Sequence, residues 1–316
     1  MAELRPDLLL SDVVATPAWL HRVVDAHAGI EPLALDASRV LFVGMGSSRY
    51  AAQNAVAYLR SRGRDAHAEH ASTGAPQPPE PGLLVVAVSA GGGSPETIAA
   101  ARRHRGRSTV VGITNRPDRA LAAEVDTCLE LHAGDEASGV ACRSYTNTLA
   151  LLLLLCGVDP ARVRAAADAS AAVITSAPEW LAAAADLVGR PAIHVLAPAE
   201  RIGSAEQSAL TLREVPRVRA DACETGDWSH VDVYLSKLPG LGLVLLRGSA
   251  WEAGVLEWAA ERDCPVVTVG GPLPGAALDV PVPGGEDPVV RMLAEGRVCE
   301  LLAAELHSRH GDRLVT

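Results

Sequence analysis

Short apolar runs, each followed by a turn rich in glycine or serine and then by a helix-like stretch, recur along the chain. Arg39–Val43 and Leu83–Val88 are two such runs, and the second is apolar throughout, the pattern of a parallel strand covered on both faces. The first leads through Gly44-Met45-Gly46-Ser47-Ser48 into a helix predicted from about Ser48 to Arg62. The second leads through Ser89-Ala90-Gly91-Gly92-Gly93-Ser94 into a helix over Pro95–His104. Ser108–Ile113 and Thr127–His132 are the next predicted strands, and a helix over Ser144–Cys156 closes this half. Ahead of them, Thr16 as N-cap with Pro17 in the first turn predicts a helix running from Thr16 to about Ala28.

The second half repeats this order more loosely. Ile193–Leu196 precedes a helix from about Ser204 to Arg213. Leu241–Leu246 precedes Ser249-Ala250-Trp251-Glu252 and a helix over Ala253–Glu261, and the strands Pro265–Val269 and Leu278–Val282 follow. The same order twice argues for an internal duplication. Alternating strands and helices argue for an α/β fold with a doubly wound parallel sheet, flanked by helices, in each of two lobes. The expected division is 1–158, a first lobe with its N-terminal helix, and 159–316, linker helices and a second lobe. The linker is the helical stretch from about Asp159 to Leu187, expected to break at Pro178.

Composition narrows the classes of function. Aromatic residues make up 3% of the 316 residues, so the cores are built from Leu, Val and Ala, and base-stacking nucleic-acid modules are disfavoured. A formal net charge of −10 repels a polyanion at long range, so no nucleic-acid partner is expected. A small anion is a different matter, because backbone N–H groups at a helix start act locally. The longest apolar run, Leu149–Val158, is too short to span a bilayer, and the opening Met-Ala-Glu-Leu-Arg-Pro-Asp has no basic stretch leading into a signal-type segment. No membrane partner is expected. The six cysteines are scattered without a Cys-x-x-Cys pair, so neither a metal nor a cofactor is expected, and the location expected is the reducing cytoplasm. Lys237 is the only lysine.

Ligands of such sheets bind beyond the carboxyl ends of the strands. The two turns there supply glycines that let the backbone approach an anion, hydroxyl donors, and the positive ends of helix dipoles. Neither is a G-x-x-x-x-G-K-[ST] loop or a complete dinucleotide fingerprint.

Three segments carry a family resemblance: Gly44-Met-Gly-Ser-Ser48, Ser89 through Ser94-Pro-Glu-Thr97, and Ser138-Gly-Val-Ala-Cys-Arg-Ser-Tyr-Thr146. Together they resemble the SIS (sugar isomerase) family. They are most similar to its branch of glucosamine-6-phosphate synthase isomerase halves and related amino-sugar-phosphate deaminases and deglycases. The resemblance runs from about Leu8 to the C-terminus, and no glutaminase domain is expected. It implies that Ser47, Ser48, Ser89, Ser94 and Thr97 hold a phosphate and that the Val140 and Ala141 backbone lines the sugar. Leu210-Thr-Leu-Arg-Glu214 is similar to the family's helix end that carries a proton-transfer glutamate. His230 stands sixteen residues on, the family's spacing to a ring-opening histidine contributed by the neighbouring subunit of a homodimer. Moving a proton between C1 and C2 of a sugar needs a carboxylate near both carbons, and opening the ring needs a group titrating near neutrality.

Departures from the family pattern shape the expected chemistry. The turn after Ser89 is longer by two residues. Arg313 stands where the family places an imine-forming lysine, and Thr211 and Arg213 replace two further lysines. Arginine stays protonated and forms no Schiff base, but it can pair with a phosphate or carboxylate. The expectation is therefore a sugar-phosphate-binding isomerase or deaminase acting on a hexose or amino-sugar phosphate through Glu214, with no imine to the protein. The alternative is a non-catalytic sugar-phosphate sensor. Regulators of the family commonly carry a helix-turn-helix domain; none is evident in the sequence, which favours the enzyme.

Overall fold

A computed structural model describes residues 4–237 and 239–311 of the chain. The first round of elements is α1 (Leu9–Ala26), α2 (Leu33–Asp36), β1 (Arg39–Gly44), α3 (Ser47–Ser61), β2 (Ala66–His70), β3 (Leu83–Val88), α4 (Pro95–His104), β4 (Thr109–Thr114), β5 (Thr127–Glu130) and α5 (Arg143–Leu155). The long α6 (Pro160–Val188) follows. The second round is β6 (Ala192–Ala197), α7 (Ile202–Glu214), β7 (Arg219–Glu224), α8 (Thr225–Trp228), β8 (Leu241–Leu246), α9 (Glu252–Ala260), β9 (Val266–Val269), β10 (Leu278–Val280), α10 (Pro288–Ala294) and α11 (Gly296–His310).

The strands form two five-stranded sheets, ordered β2-β1-β3-β4-β5 and β7-β6-β8-β9-β10, with every pairing parallel. Each is an α/β sheet flanked by helices. The central strands β3 and β8 are buried at all six positions, as their unbroken apolar sequences require. The chain divides into two compact units. One comprises Ala18–Asp135 and Arg143–Arg164 and contains the first sheet; the other takes the residues up to Pro17, the short segment Glu136–Cys142, and the chain from Ala165 onward, with the second sheet. In the first, Leu41, Val43, Leu83, Val85 and Ala87 pack with Ala100 and Ala101 of α4 and with Leu121. In the second, Leu196, Leu243 and Leu245 pack with Trp228 of α8 and Val255 and Ala259 of α9.

Two expectations about helices are corrected. Thr16 is not an N-cap: α1 begins at Leu9, Pro17 lies inside it, and the Thr16 hydroxyl donates to the Asp12 carbonyl one turn back. The buried stripe Leu9, Val13, Leu20, Val23 and Val24 runs straight through the proline, so packing holds the helix despite the lost backbone bond. Pro178 likewise lies inside α6 without ending it, and Val173, Ala177, Trp180 and Ala184 keep one buried face across it. By length and apolar content α6 could cross a bilayer, and that buried face is also what a core helix shows. β2 (Ala-His-Ala-Glu-His) and β7 (Arg-Ala-Asp-Ala-Cys-Glu) had no strand signature. They are half-exposed edge strands placed by pairing to β1 and β6.

One local strap bears on function. Asp12, buried in α1, accepts from Ser138 N–H at 2.8 Å, from the Ser138 hydroxyl at 2.7 Å and from Ala137 N–H at 3.1 Å. Arg5 N–H donates to the Ser138 carbonyl at 2.8 Å. The segment 136–142 is thereby pinned from both sides. Asp12→Ala strands buried donors and is expected to cost about 3 kcal/mol of stability, read as a lower urea midpoint with an unchanged slope. An unchanged midpoint would mean that water replaces the carboxylate at no cost.

Candidate functional site

In the first-sheet unit, β1 and β3 are neighbours in parallel register, Val43 opposite Ala87, so their carboxyl ends finish level and the helices that follow start at the same edge. Gly44 makes the close fit possible: a Cβ there would lie 3.0 Å from the Ser48 Cβ and 3.2 Å from the Val88 carbonyl oxygen. The turn after β1 therefore presses against the last residue of β3. Gly46, with φ +51°, swings the chain into α3, whose first residues Ser47 and Ser48 are half-buried.

The lengthened turn after β3 is folded over the end of β4. Ser89 N–H donates to the Ile113 carbonyl at 3.0 Å, Asn115 N–H to the Ala90 carbonyl at 2.9 Å, and Leu121 N–H to the Gly92 carbonyl at 3.1 Å. Gly92 has φ +65°, and a Cβ there would strike the Arg116 carbonyl and the Thr114 hydroxyl at 2.9 Å. Ser94 is the N-cap of α4. Its hydroxyl accepts from Thr97 N–H at 3.3 Å and from the Thr97 hydroxyl at 3.1 Å, and donates to Glu96 at 2.8 Å. Glu96 is exposed, and its own backbone N–H and Ser94 hold its carboxyl below the usual carboxylate range. Ser47, Ser48, Ser89, Ser94 and Thr97 thus belong to two adjoining turns at one sheet edge. Of these side chains, Thr97 is fully buried, with its hydroxyl spent on the cap.

In the second-sheet unit, Glu214 ends α7. It is half-buried, and its Oε2 has no hydrogen-bond partner among the described residues. Burial pushes its carboxyl upward; Arg213 opposes this, Glu136 reinforces it and Arg217 opposes it. Glu136 opens the segment 136–142, and its Oε1 accepts from Cys142 N–H at 2.7 Å. Val140 N–H donates to the Ser138 hydroxyl at 3.1 Å, and the Val140 carbonyl accepts from Cys142 N–H at 2.9 Å. The Ala141 carbonyl accepts from Gln207 Nε2 at 2.7 Å, which ties the segment to α7 about two turns before Glu214. Behind them on α11 lies a buried ion pair, Arg297–Glu300 at 2.7 Å. Burial pushes the Glu300 carboxyl up to about 7, with Arg297 opposing and Glu136 adding to the rise.

Sequence reasoning missed Glu136 and Gln207. Gln207 had a signal, since 207, 211 and 214 share one helical face. Glu136 had none beyond its place just ahead of the Ser138–Thr146 segment. His230, just after α8, is exposed; its N–H donates to the Asp227 carbonyl at 2.8 Å, and no hydrogen bond among the described residues joins it to Glu214. Lys237 is exposed at the end of a short 3-10 turn. Arg313 lies outside the described residues.

Comparison with known proteins bears on the fold. Residues 35–156 match the SIS domain family. Over 237 residues the chain is 29% identical to a glutamine–fructose-6-phosphate aminotransferase (isomerizing) of Aeropyrum pernix, covering 69% of this chain and 38% of that protein. The chain thus spans well under half the length of this relative. Among solved structures, the C-terminal domain of the glucosamine-fructose-6-phosphate aminotransferase of Francisella tularensis aligns with a TM-score of 0.82 at 14% identity, over 95% of this chain and 96% of that one. The tagatose-6-phosphate ketose/aldose isomerase of Escherichia coli aligns with a TM-score of 0.81 at 19% identity, over 95% and 92%. These likenesses establish the fold.

The tight fit at Gly44 can be tested directly. Gly44→Ala must push the start of α3 or the end of β3 aside by a few tenths of an ångström, and is expected to cost about 2 kcal/mol in a denaturant titration. No loss would mean that the two strand ends have slack.

Proposed function

We propose that the chain binds a sugar phosphate and transfers a proton between C1 and C2 of a hexose or amino-sugar phosphate. The phosphate is assigned to the turns after β1 and β3, with Ser47, Ser48, Ser89 and Ser94, Thr97 bracing Ser94 from beneath the cap, and the proton transfer is assigned to Glu214. The observation that carries the reading is the pair of hydroxyl-bearing, glycine-containing turns at the adjoining ends of β1 and β3, each opening a helix. The SIS match over 35–156 supports the ligand class. Glu214 suits a base that accepts and returns a proton: one of its oxygens is uncommitted, and its proton affinity is raised by burial. Val140 and Ala141 are assigned to the sugar. Arg313 is assigned to the ligand's anionic end.

The scheme requires no covalent bond to the protein. Glu214 takes the proton from C2 of the open-chain aldose and returns it to C1, while a hydroxyl proton passes from O2 to O1, giving the ketose. With an amine at C2 the same shift gives an imine, which water hydrolyses to ketose and ammonia. His230 is assigned to ring opening on the neighbouring copy in a homodimer. Its exposure, and that of Val231, Tyr234 and Leu235 beside it, supports this role. All six cysteines are free, in keeping with action in the cytoplasm.

A second reading, a sensor that binds without turnover, is favoured by the arginines at the family's lysine positions. Thermal-shift titration with hexose and amino-hexose phosphates, followed by exchange of the C1 or C2 hydrogen in heavy water, separates the two: the sensor binds and does not exchange. Glu214→Gln is expected to slow exchange by about 10²–10⁴-fold with ligand affinity nearly unchanged. Exchange that persists removes Glu214 from the mechanism.

The pH profile tests the neighbouring charge. Exchange needs Glu214 ionised, so the rate falls as pH drops through its raised pKa, above the ordinary carboxylate range. Glu136→Gln keeps an oxygen for Cys142 N–H and removes a like charge, so this acid limb is expected to move to lower pH. Burial remains, so the limb should not return fully to the value of a free glutamate. A limb that does not move shows that Glu136 does not tune Glu214.

A further inference from the structure

The turn after β8 holds in the second sheet the place that the turn after β3 holds in the first. Each follows the middle strand of a five-stranded parallel sheet and leads into a helix, α9 or α4. The first is lined by serines and glycines. The second, Arg247-Gly248-Ser249-Ala250-Trp251, is filled by a carboxylate of the chain itself. Glu252, the first residue of α9 and 5% exposed, accepts from Ser249 N–H at 3.0 Å and from Gly248 N–H through Oε1, and from Arg247 Nε at 2.7 Å through Oε2.

The surroundings are strongly cationic. Gly248 has φ +129°, and a Cβ there would lie 3.1 Å from Arg291 Nη1 and 3.3 Å from both terminal nitrogens of Arg201. Both guanidinium groups donate to the Arg247 carbonyl. Arg201 is also paired with the fully buried Glu295 at 3.1 Å, and Arg291 Nε is buried without a hydrogen-bond partner among the described residues. Three arginines thus face two glutamates, and the glutamate within the turn makes the contacts an anionic ligand would make with successive backbone N–H groups and an arginine.

We propose that Glu252 is a built-in anion seated in the second sheet's counterpart of the phosphate turn, so that each chain takes one phosphate ester rather than two, and that removing this carboxylate opens a site for a phosphate-sized dianion. Only the placing of the natural ligand rests on the function proposed above; the opened site does not. A bare structural role for Glu252 predicts loss of stability alone when it is removed. The proposal predicts loss of stability together with a gain of anion binding.

The experiment is calorimetric titration of inorganic phosphate into wild type, Glu252→Ala and Glu252→Gln. Glu252→Ala is expected to bind one phosphate per chain more than wild type, and Glu252→Gln, which still fills the turn, none more. Adding Arg247→Ala to Glu252→Ala should abolish the gain. Glu252→Ser, whose hydroxyl can cap α9, is the second variant where alanine unfolds the protein, and phosphate is expected to raise its melting temperature more than that of wild type. If neither small variant gains a phosphate, or if both stay unfolded at every phosphate concentration, the proposal is overturned. The increment over wild type is the reading, so a wild type that binds no phosphate would sink the function proposed above and leave this inference standing.

Discussion

The close approach at Gly44, where a Cβ would meet the Ser48 Cβ and the Val88 carbonyl, sets how close the ends of β1 and β3 can come, and the phosphate binding proposed for the first sheet depends on it. Parallel pairing with Val43 opposite Ala87 brings the two strand ends level. Two strands that run in the same direction also send their following helices off the same edge, so the positive ends of α3 and α4 lie there. A side chain at position 44 would keep the donors of one turn away from those of the other. The glycine at 92 does similar work on the far side: with φ +65° and no Cβ, it lets the lengthened turn lie against the end of β4.

Legibility in the sequence followed burial. β3 and β8, buried on both faces, are unbroken apolar runs, and their predicted bounds match the observed ones. β2 and β7 are edge strands rich in alanine, histidine and acidic residues; pairing to β1 and β6 fixes them, and pairing leaves no local trace in composition. The prolines at 17 and 178 misled because a proline's local cost is set against the packing of a whole buried face. α11 drew no prediction because its buried face includes Arg297 and Glu300, which blur the amphipathic pattern, although the two pair with each other at 2.7 Å.

The candidate site was legible where its residues lie in local turns and obscure where they meet across the chain. Ser47, Ser48, Ser89 and Ser94 sit in turns whose composition announces them. Glu136 is seventy-eight residues from Glu214, and nothing in the sequence tells that its charge reaches both Glu214 and Glu300. Its place is set by the pinning of segment 136–142 through Asp12 and Gln207, contacts made by groups remote in the chain.

The two sheets share one strand order and opposite electrostatics at corresponding edges. The turn after β3 offers hydroxyls and glycines, with its acidic Glu96 turned out to solvent. The turn after β8 offers guanidinium groups and folds its own Glu252 inward. Both glutamates lie within two residues of their helix start, where a carboxylate is favoured. What separates them is burial and the partner. An exposed carboxylate capped by one serine costs little to displace, whereas one held by two backbone N–H groups and an arginine in a nearly closed turn does not yield its place to a solute. The same backbone therefore carries hydroxyls and an exposed carboxylate at one edge and a buried carboxylate held by an arginine at the other, and the difference lies in a few side chains rather than in the fold.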